Sequence, residues 1–134
     1  MEIEPTLYIN FSQAVALHLM LMQRLGETQL AVFDRGLIDS ALSRPRNAAE
    51  HENADLISQS AALCLGVIKD RPWNCGNKRM ATMLADRFLH MNGMKVIAST
   101  TQVIEMAVSI ESDRWSIDNI EEWYREHTMS FKGR

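Results

Sequence analysis

The 134-residue chain is poor in cysteine and lacks long apolar runs. Its two cysteines, Cys64 and Cys75, can build neither a disulfide framework nor a cysteine-rich metal site. The apolar stretch Ala61 to Ile68 is too short to cross a bilayer, and the residues Met1 to Glu4 lack the basic flank of a signal peptide. We therefore expect a cytoplasmic protein that does not contact the membrane.

The chain also lacks an excess of positive charge, because its formal net charge is -3. Lysines and arginines are scattered, apart from the adjacent pair Lys78 and Arg79. A broad basic surface for nucleic acid is therefore not expected, and any recognition of phosphate has to be local. With 46% hydrophobic and 23% charged residues, residues 1–134 are predicted to form a single folded domain.

Apolar residues recur at helical spacing and predict an all-α, compact helical bundle. The first helix is predicted from Phe11 to Leu25, with Asn10 and Gln13 as a capping pair. Later helices are predicted to begin at Asn77, near Thr101 and after Ser116. The bundle is interrupted by extended segments, of which one is a flap before the second helix and another spans Met94 to Ala98. The flap residues are Leu30, Ala31, Val32 and Phe33.

Prolines set two of the predicted helix ends. The second helix begins after Asp34 and is predicted to end at Pro45, because an interior proline removes a backbone donor. Residues 47–53 are then expected to be loop-like or weakly helical. The third helix is predicted to stop before Pro72, since the residue before a proline disfavours helical geometry. The chain then enters a polar loop that ends at Gly76.

The most polar segment beside a predicted helix start is residues 71–79. Free N–H groups at a helix start attract negative charge, and nearby lysine and arginine add charge-assisted donors suited to phosphate. The segment therefore predicts a phosphate cradle. An equally consistent interpretation is that Gly76 and Asn77 merely begin a helix with a solvated basic face. The candidate phosphate-binding residues are Asn74, Gly76, Asn77, Lys78 and Arg79.

Residues 71–79 also resemble the motif of the Fic/Doc family, His-Pro-Phe, two residues, then Gly-Asn, which in the Doc branch is usually followed by Lys-Arg. The segment aligns with that motif without a gap. Residues 33–45 are similar to the Asp-x-Gly-Leu-x-x-Ser-Ala-x-x-x-Pro signature of Doc-like chains, and residues 88–93 resemble the end of the helix that follows the motif. This resemblance covers almost the whole chain.

The resemblance implies a Fic fold that binds ATP with Mg²⁺ at the helix start, while the flap docks a protein target as an extended strand. Fic proteins proper transfer AMP to a hydroxyl. In the Doc branch a lysine stands at the position of Lys78, and this implies transfer of the terminal phosphate to elongation factor Tu. The branch also implies a cognate antitoxin as partner. The Ser/Thr-x-x-x-Glu-Gly/Asn inhibitory helix of some family members is not matched here, because Ala48 stands at its hydroxyl position.

Two residues depart from the family pattern. Arg71 stands at the position of the catalytic histidine, and a guanidinium keeps its proton at neutral pH and cannot act as a general base. Cys75 stands where the family has an acidic residue that holds magnesium, and a thiol is a soft ligand poorly matched to that hard cation. No metal site is predicted from the chain's own residues.

These observations leave three hypotheses open. The first is a Doc-like toxin, related to phosphotransferases that modify a translation factor and impaired by Arg71 and Cys75. The second is a non-catalytic module that uses the same fold to bind a nucleotide or a protein. The third is a helical interaction domain that binds no ligand. Turnover of a nucleotide separates the first two, and binding of a nucleotide separates both from the third.

Overall fold

The computed structural model describes residues 5–27 and 32–131 of the chain. Within these ranges six α-helices and a two-stranded sheet are formed, which confirms the predicted mostly helical class. In chain order the elements are α1 (Phe11–Arg24), α2 (Arg35–Glu52), α3 (Leu56–Asp70), α4 (Asn77–Met91), β1 (Met94–Val96), α5 (Thr100–Glu111), α6 (Ile117–Glu126) and β2 (Thr128–Ser130).

Helices α3 and α4 form the centre of the bundle. α3 packs against α2, α4, α5 and α6, and α4 also contacts α1 and α5. The apolar spacing of α4 places one face entirely inside, as the sequence predicted for this helix. Because α3 and α4 are packed on several sides, the loop that joins them is held at a fixed place on the bundle. The buried residues of that α4 face are Met80, Ala81, Leu84, Ala85, Phe88 and Leu89.

Side-chain caps fix most helix starts. Asn10 and Gln13 form the predicted capping box of α1, and Ser116 caps α6 together with Asn119. Asp34 accepts a hydrogen bond from the N–H of Leu37 at the start of α2. Helix α4 differs from these, because its N-cap is Gly76, which offers no side chain. The first N–H groups of α4 are thus left without a cap.

The predicted end of the second helix at Pro45 is wrong, because α2 continues through Pro45 to Glu52. Pro45 is buried on the same face as Ile38, Ala41 and Ala48, which packs against the rest of the bundle. An interior proline costs a helix one hydrogen bond and creates a steric clash. Here the burial of the apolar face outweighs that cost, so residues 47–52 are helical rather than a loop.

The extended piece predicted at Met94 to Ala98 is confirmed as β1, but its partner was not predicted. The segment after α6 forms β2 and pairs with β1 in antiparallel register. Met94 lies opposite Ser130, and Val96 lies opposite Thr128. A three-residue strand has too little alternation to be recognised, and its pairing depends on a partner far along the chain.

No helix in the two described ranges combines the length and the apolar character that a membrane crossing requires.

The packing of α4 predicts a large difference between two leucine truncations. Leu84 is fully buried in α4, whereas Leu19 of α1 has 48% of its surface exposed. Leu84→Ala should lower the free energy of unfolding by about 2–5 kcal/mol, because it leaves a cavity in the core. Leu19→Ala should change it by less than about 0.5 kcal/mol. Urea denaturation of both variants checks this, and similar losses would mean that α4 is not at the centre of the core.

Candidate functional site

The candidate site lies in the loop between α3 and α4, residues 71–76. Arg71 ends α3 in the left-handed conformation, with φ 50°, and Pro72 follows, so the helix stops where the sequence predicted. Gly76 is also left-handed, with φ 80°, a conformation that strains other residues. These two positions turn the chain sharply and place the start of α4 beside the end of α3.

Asn77 fixes the shape of this loop through its side chain. Its Oδ1 accepts a hydrogen bond from the N–H of Trp73 at 3.0 Å, and its Nδ2 donates to the carbonyl of Trp73 at 2.7 Å. Both residues are buried. The side-chain amide of Asn77 is therefore occupied by the loop. The group that this candidate phosphate-binding residue offers at the helix start is its main-chain N–H.

His18 of α1 supports the loop from inside. Its ring stacks on Trp73 with centroids 4.9 Å apart, and its Nε2 lies 3.0 Å from the carbonyl of Cys75. Because that carbonyl only accepts, Nε2 carries the hydrogen and donates it. Burial lowers the pKa of His18 below its ordinary value, and the bond to Cys75 partly opposes that shift. His18 is thus a buried structural residue, and its lowered pKa favours the neutral ring.

The first turn of α4 presents uncapped donors together with two exposed cations. The N–H groups of Asn77, Lys78 and Arg79 precede the first helical hydrogen bond, which runs from the N–H of Met80 to the carbonyl of Gly76 at 2.8 Å. Lys78 and Arg79 are exposed on this turn. The positive end of the helix dipole adds to their charge. This turn can therefore hold an anion.

Glu111, at the end of α5, contributes an acidic group that the sequence analysis missed. Its carboxylate accepts two hydrogen bonds from Lys78 Nζ, at 2.9 and 3.1 Å, and lies 4.0 Å from Arg71 Nη1. It follows Lys78 by 33 residues in the chain, and no local motif marks it. Together these groups line a cleft of about 260 Å³. The cleft residues are Leu25, Arg71, Cys75, Gly76, Asn77, Lys78, Arg79 and Glu111.

Arg71 lies in this cleft as a permanent cation. Its side chain is 66% exposed, so the guanidinium can reach a ligand without displacing the core. It can donate several hydrogen bonds but accept none, and it cannot take a proton from a hydroxyl. The position of the family histidine therefore supplies positive charge and donors but no base.

Cys75 does not fit a magnesium ion. Its sulfur lies 3.5 Å from the sulfur of Met22 and 3.8 Å from Oδ1 of Asn74, so it sits among soft or neutral groups. Magnesium requires hard oxygen ligands. The one carboxylate lining the cleft, Glu111, is bound to Lys78. The described part of the chain contains no group of three or more histidine, cysteine or acidic side chains able to hold a metal.

Asn74, a candidate phosphate-binding residue, contacts the flap. Its main-chain N–H donates to the carbonyl of Val32 at 2.9 Å, and its Oδ1 accepts from the N–H of Val32 at 3.2 Å. With the bond from the N–H of Asp34 to the carbonyl of Pro72, these contacts form an antiparallel bridge between Phe33 and Trp73. The end of the flap is thus extended, as predicted. Leu30 and Ala31 lie outside the described residues.

The bridge leaves the main-chain groups of Phe33 directed away from the loop. In an antiparallel pair, a residue flanked by bonded neighbours points its own N–H and C=O to the opposite side. Within the described ranges these two groups of Phe33 have no backbone hydrogen bond. Phe33 therefore presents its own N–H and C=O on the edge that faces away from Trp73.

Known proteins are similar to the part of the chain that contains the loop between α3 and α4. A sequence model of the Fic/DOC family matches residues 8–89, which include α1, α2, α3, the loop and most of α4. The chain is also similar to Toxin Doc of Mycolicibacterium smegmatis, with 36% identity over 72 residues. The aligned part covers 52% of this chain and 55% of that toxin, so the chain spans about half the length of this curated relative.

The lowered pKa of His18 predicts a loss of stability in acid. In the unfolded chain His18 takes up a proton near pH 6.5, whereas in the folded chain it stays neutral to a lower pH. Stability is therefore complete above the unfolded pKa and falls as the pH drops from there toward the folded pKa. We expect the free energy of unfolding to decrease between about pH 7 and pH 5.

Urea denaturation across this pH range, performed on His18→Gln and on His51→Gln, checks the source of the loss. The readout is the slope with pH and not the absolute stability, because His18→Gln also removes packing. His18→Gln should flatten the slope, and the exposed His51 should not affect it. An unchanged slope in His18→Gln would contradict the buried neutral state.

Proposed function

The chain belongs to the Fic/DOC family, and on this basis we propose that it is a Doc-like toxin whose cleft binds a nucleoside triphosphate. The partner is a separate antitoxin, and the expected setting is the cytoplasm. The observation that carries the proposal is the uncapped start of α4, where three main-chain N–H groups, Lys78 and Arg79 face one cleft with Arg71. Such an arrangement favours the phosphates of a nucleotide.

The reaction that the family resemblance implies is transfer of the terminal phosphate to a hydroxyl of elongation factor Tu. The hydroxyl oxygen forms a bond to the terminal phosphorus, the bond from that phosphorus to the bridging oxygen breaks, and the nucleoside diphosphate leaves. Lys78, Arg79 and the N–H groups of α4 would bind the phosphates and stabilise their developing charge. The proton of the hydroxyl must go to a base.

The described cleft has no good acceptor for that proton. Arg71 is already protonated, and the carboxylate of Glu111 is bound to Lys78. A general base typically contributes about 10²–10⁴-fold to such a step. We therefore propose that the chain binds nucleotide but transfers phosphate slowly.

The flap would hold the protein target. Phe33 offers one free N–H and one free C=O on its outer edge, while the inner edge is fixed by Asn74. An extended segment of the target can add to such an edge through main-chain hydrogen bonds. The target hydroxyl would then lie beside the cleft, because Phe33 is paired with Trp73 of the same loop.

The need for a separate antitoxin follows from the absence of a matching inhibitory segment in α2. The string most similar to the inhibitory motif begins at Ala48, which is buried in α2 and offers no hydroxyl. It continues to Asn53, the C-cap of the same helix. Inhibition is therefore assigned to another protein.

A second candidate is a nucleotide- or protein-binding module without catalysis. Arg71 and Cys75 favour it, because each removes a group that the family reaction requires while leaving the phosphate-binding start of α4 intact. The two candidates agree on binding and differ on turnover.

The proposed cleft predicts that ATP binding depends on the two cations of α4. The double substitution Lys78→Ala with Arg79→Ala should weaken ATP binding by about 10²-fold or more, since each charge-assisted contact contributes about 1.5–3 kcal/mol. Titration calorimetry measures this. The matched control removes the same charges away from the cleft, by Arg87→Ala near the other end of α4 with Lys95→Ala in β1. Equal affinities in both double variants would remove the cleft from the proposal.

The missing base predicts how phosphate transfer should respond to reversion. The unmodified chain should label elongation factor Tu weakly or not at all with ATP labelled at the terminal phosphate. Arg71→His should give weak transfer, because it restores a titratable group but leaves Cys75 in place. Arg71→His with Cys75→Asp should exceed the unmodified chain by about 10²-fold or more in buffer containing Mg²⁺.

Cys75→Asp alone is the control, because it keeps the cation at the position of the base. Robust labelling by the unmodified chain would show that Arg71 does not impair the reaction. An inert double variant that is folded and binds ATP would favour the non-catalytic module.

A further inference from the structure

We infer that the cleft binds the phosphates of a nucleotide without a divalent cation, with the guanidinium of Arg71 supplying the positive charge that a metal would otherwise provide. This inference rests on the proposed function, since it concerns the same site. The ligand is a polyphosphate without a bound metal ion, and Arg71 is one of the residues that bind it.

The charges around the cleft support this assignment. Arg71, Lys78 and Arg79 bring three side-chain cations to one opening of about 260 Å³, and the start of α4 adds its partial positive charge. Within the described ranges the Arg79 guanidinium has no ion-pair partner. A free triphosphate, which carries more negative charge than its magnesium complex, is therefore the better electrostatic match.

The surroundings of Cys75 disfavour the alternative, in which a magnesium ion accompanies the phosphates. Its sulfur contacts Met22 and Asn74, and neither that sulfur nor the thioether is a ligand that magnesium accepts. Arg71, in contrast, has a planar set of donors that fits phosphate oxygens in pairs. Its exposed side chain can turn toward the helix start without a change in the core.

Glu111 completes the charge balance of the cleft. Its carboxylate binds Lys78 through both oxygens and lies near Arg71, so it occupies the place of an anion among the same cations. A polyphosphate that binds Lys78 has to displace this carboxylate. Glu111 therefore competes with the ligand, and its neutralisation should strengthen phosphate binding.

Titration calorimetry with ATP, once in EDTA and once with excess Mg²⁺, tests the inference on the full chain. We expect binding in EDTA to be as tight as in Mg²⁺ or tighter. Arg71→Gln should weaken binding in EDTA by about tenfold or more, because a charge-assisted contact is lost. Arg87→Gln is the control, since it removes the same charge about 15 Å along α4 from the helix start.

Glu111→Gln gives a second test with the opposite sign. Its expected effect is a gain in affinity for ATP and for inorganic pyrophosphate in EDTA, on the order of threefold to tenfold. Glu105→Gln, on the exposed face of the same helix, should leave the affinity unchanged. Circular dichroism of each variant establishes that the fold is retained.

The outcomes separate this inference from the proposed function. Binding that requires Mg²⁺, or that is unaffected by Arg71→Gln, overturns the inference and leaves the nucleotide-binding proposal in place. Unchanged or weaker binding in Glu111→Gln overturns the role of Glu111 as competitor. Absence of binding with and without Mg²⁺, in the unmodified chain and in Glu111→Gln, overturns both the inference and the proposed function.

Discussion

The pair of hydrogen bonds between Asn77 and the main chain of Trp73 is the constraint on which the site depends. It closes the loop between α3 and α4, buries Trp73 against His18 and leaves the first turn of α4 open at Gly76. Because these contacts hold the loop from inside, the charged side chains on its outer surface are not needed to fix its shape. The site is thus a packed helix start surrounded by exposed charged side chains, an arrangement suited to binding anions.

Electrostatics then determines what the cleft can do. Three cations and a helix start would repel one another in an empty site, and Glu111 offsets part of that repulsion through Lys78 and Arg71. Both oxygens of the same carboxylate accept hydrogen bonds from Lys78. Arg71, at the position that the sequence resemblance aligns with the motif histidine, favours the binding of negative charge over acid–base chemistry, and the Cys75 thiol is poorly suited to magnesium.

The sequence predicted those features whose signal is local. The end of α3 before Pro72, the start of α4 after Gly76 and the cap of α6 at Ser116 each depend on a few adjacent residues. Features that depend on distant parts of the chain were missed or wrong. Burial of one face of α2 carried the helix past Pro45, β2 formed only because β1 was available, and Glu111 reached Lys78 through the packing of α5. These contacts join residues that are far apart in the chain, so a short stretch of sequence does not reveal them.

A crystal structure with a non-hydrolysable ATP analogue, grown in metal-free buffer, tests the central claim most directly. The account predicts phosphate oxygens on the N–H groups of Lys78 and Arg79, the guanidinium of Arg71 in contact with them, and the carboxylate of Glu111 released from Lys78. A nucleotide bound away from α4, or phosphates held by a metal while Glu111 keeps its hydrogen bonds to Lys78, would contradict it.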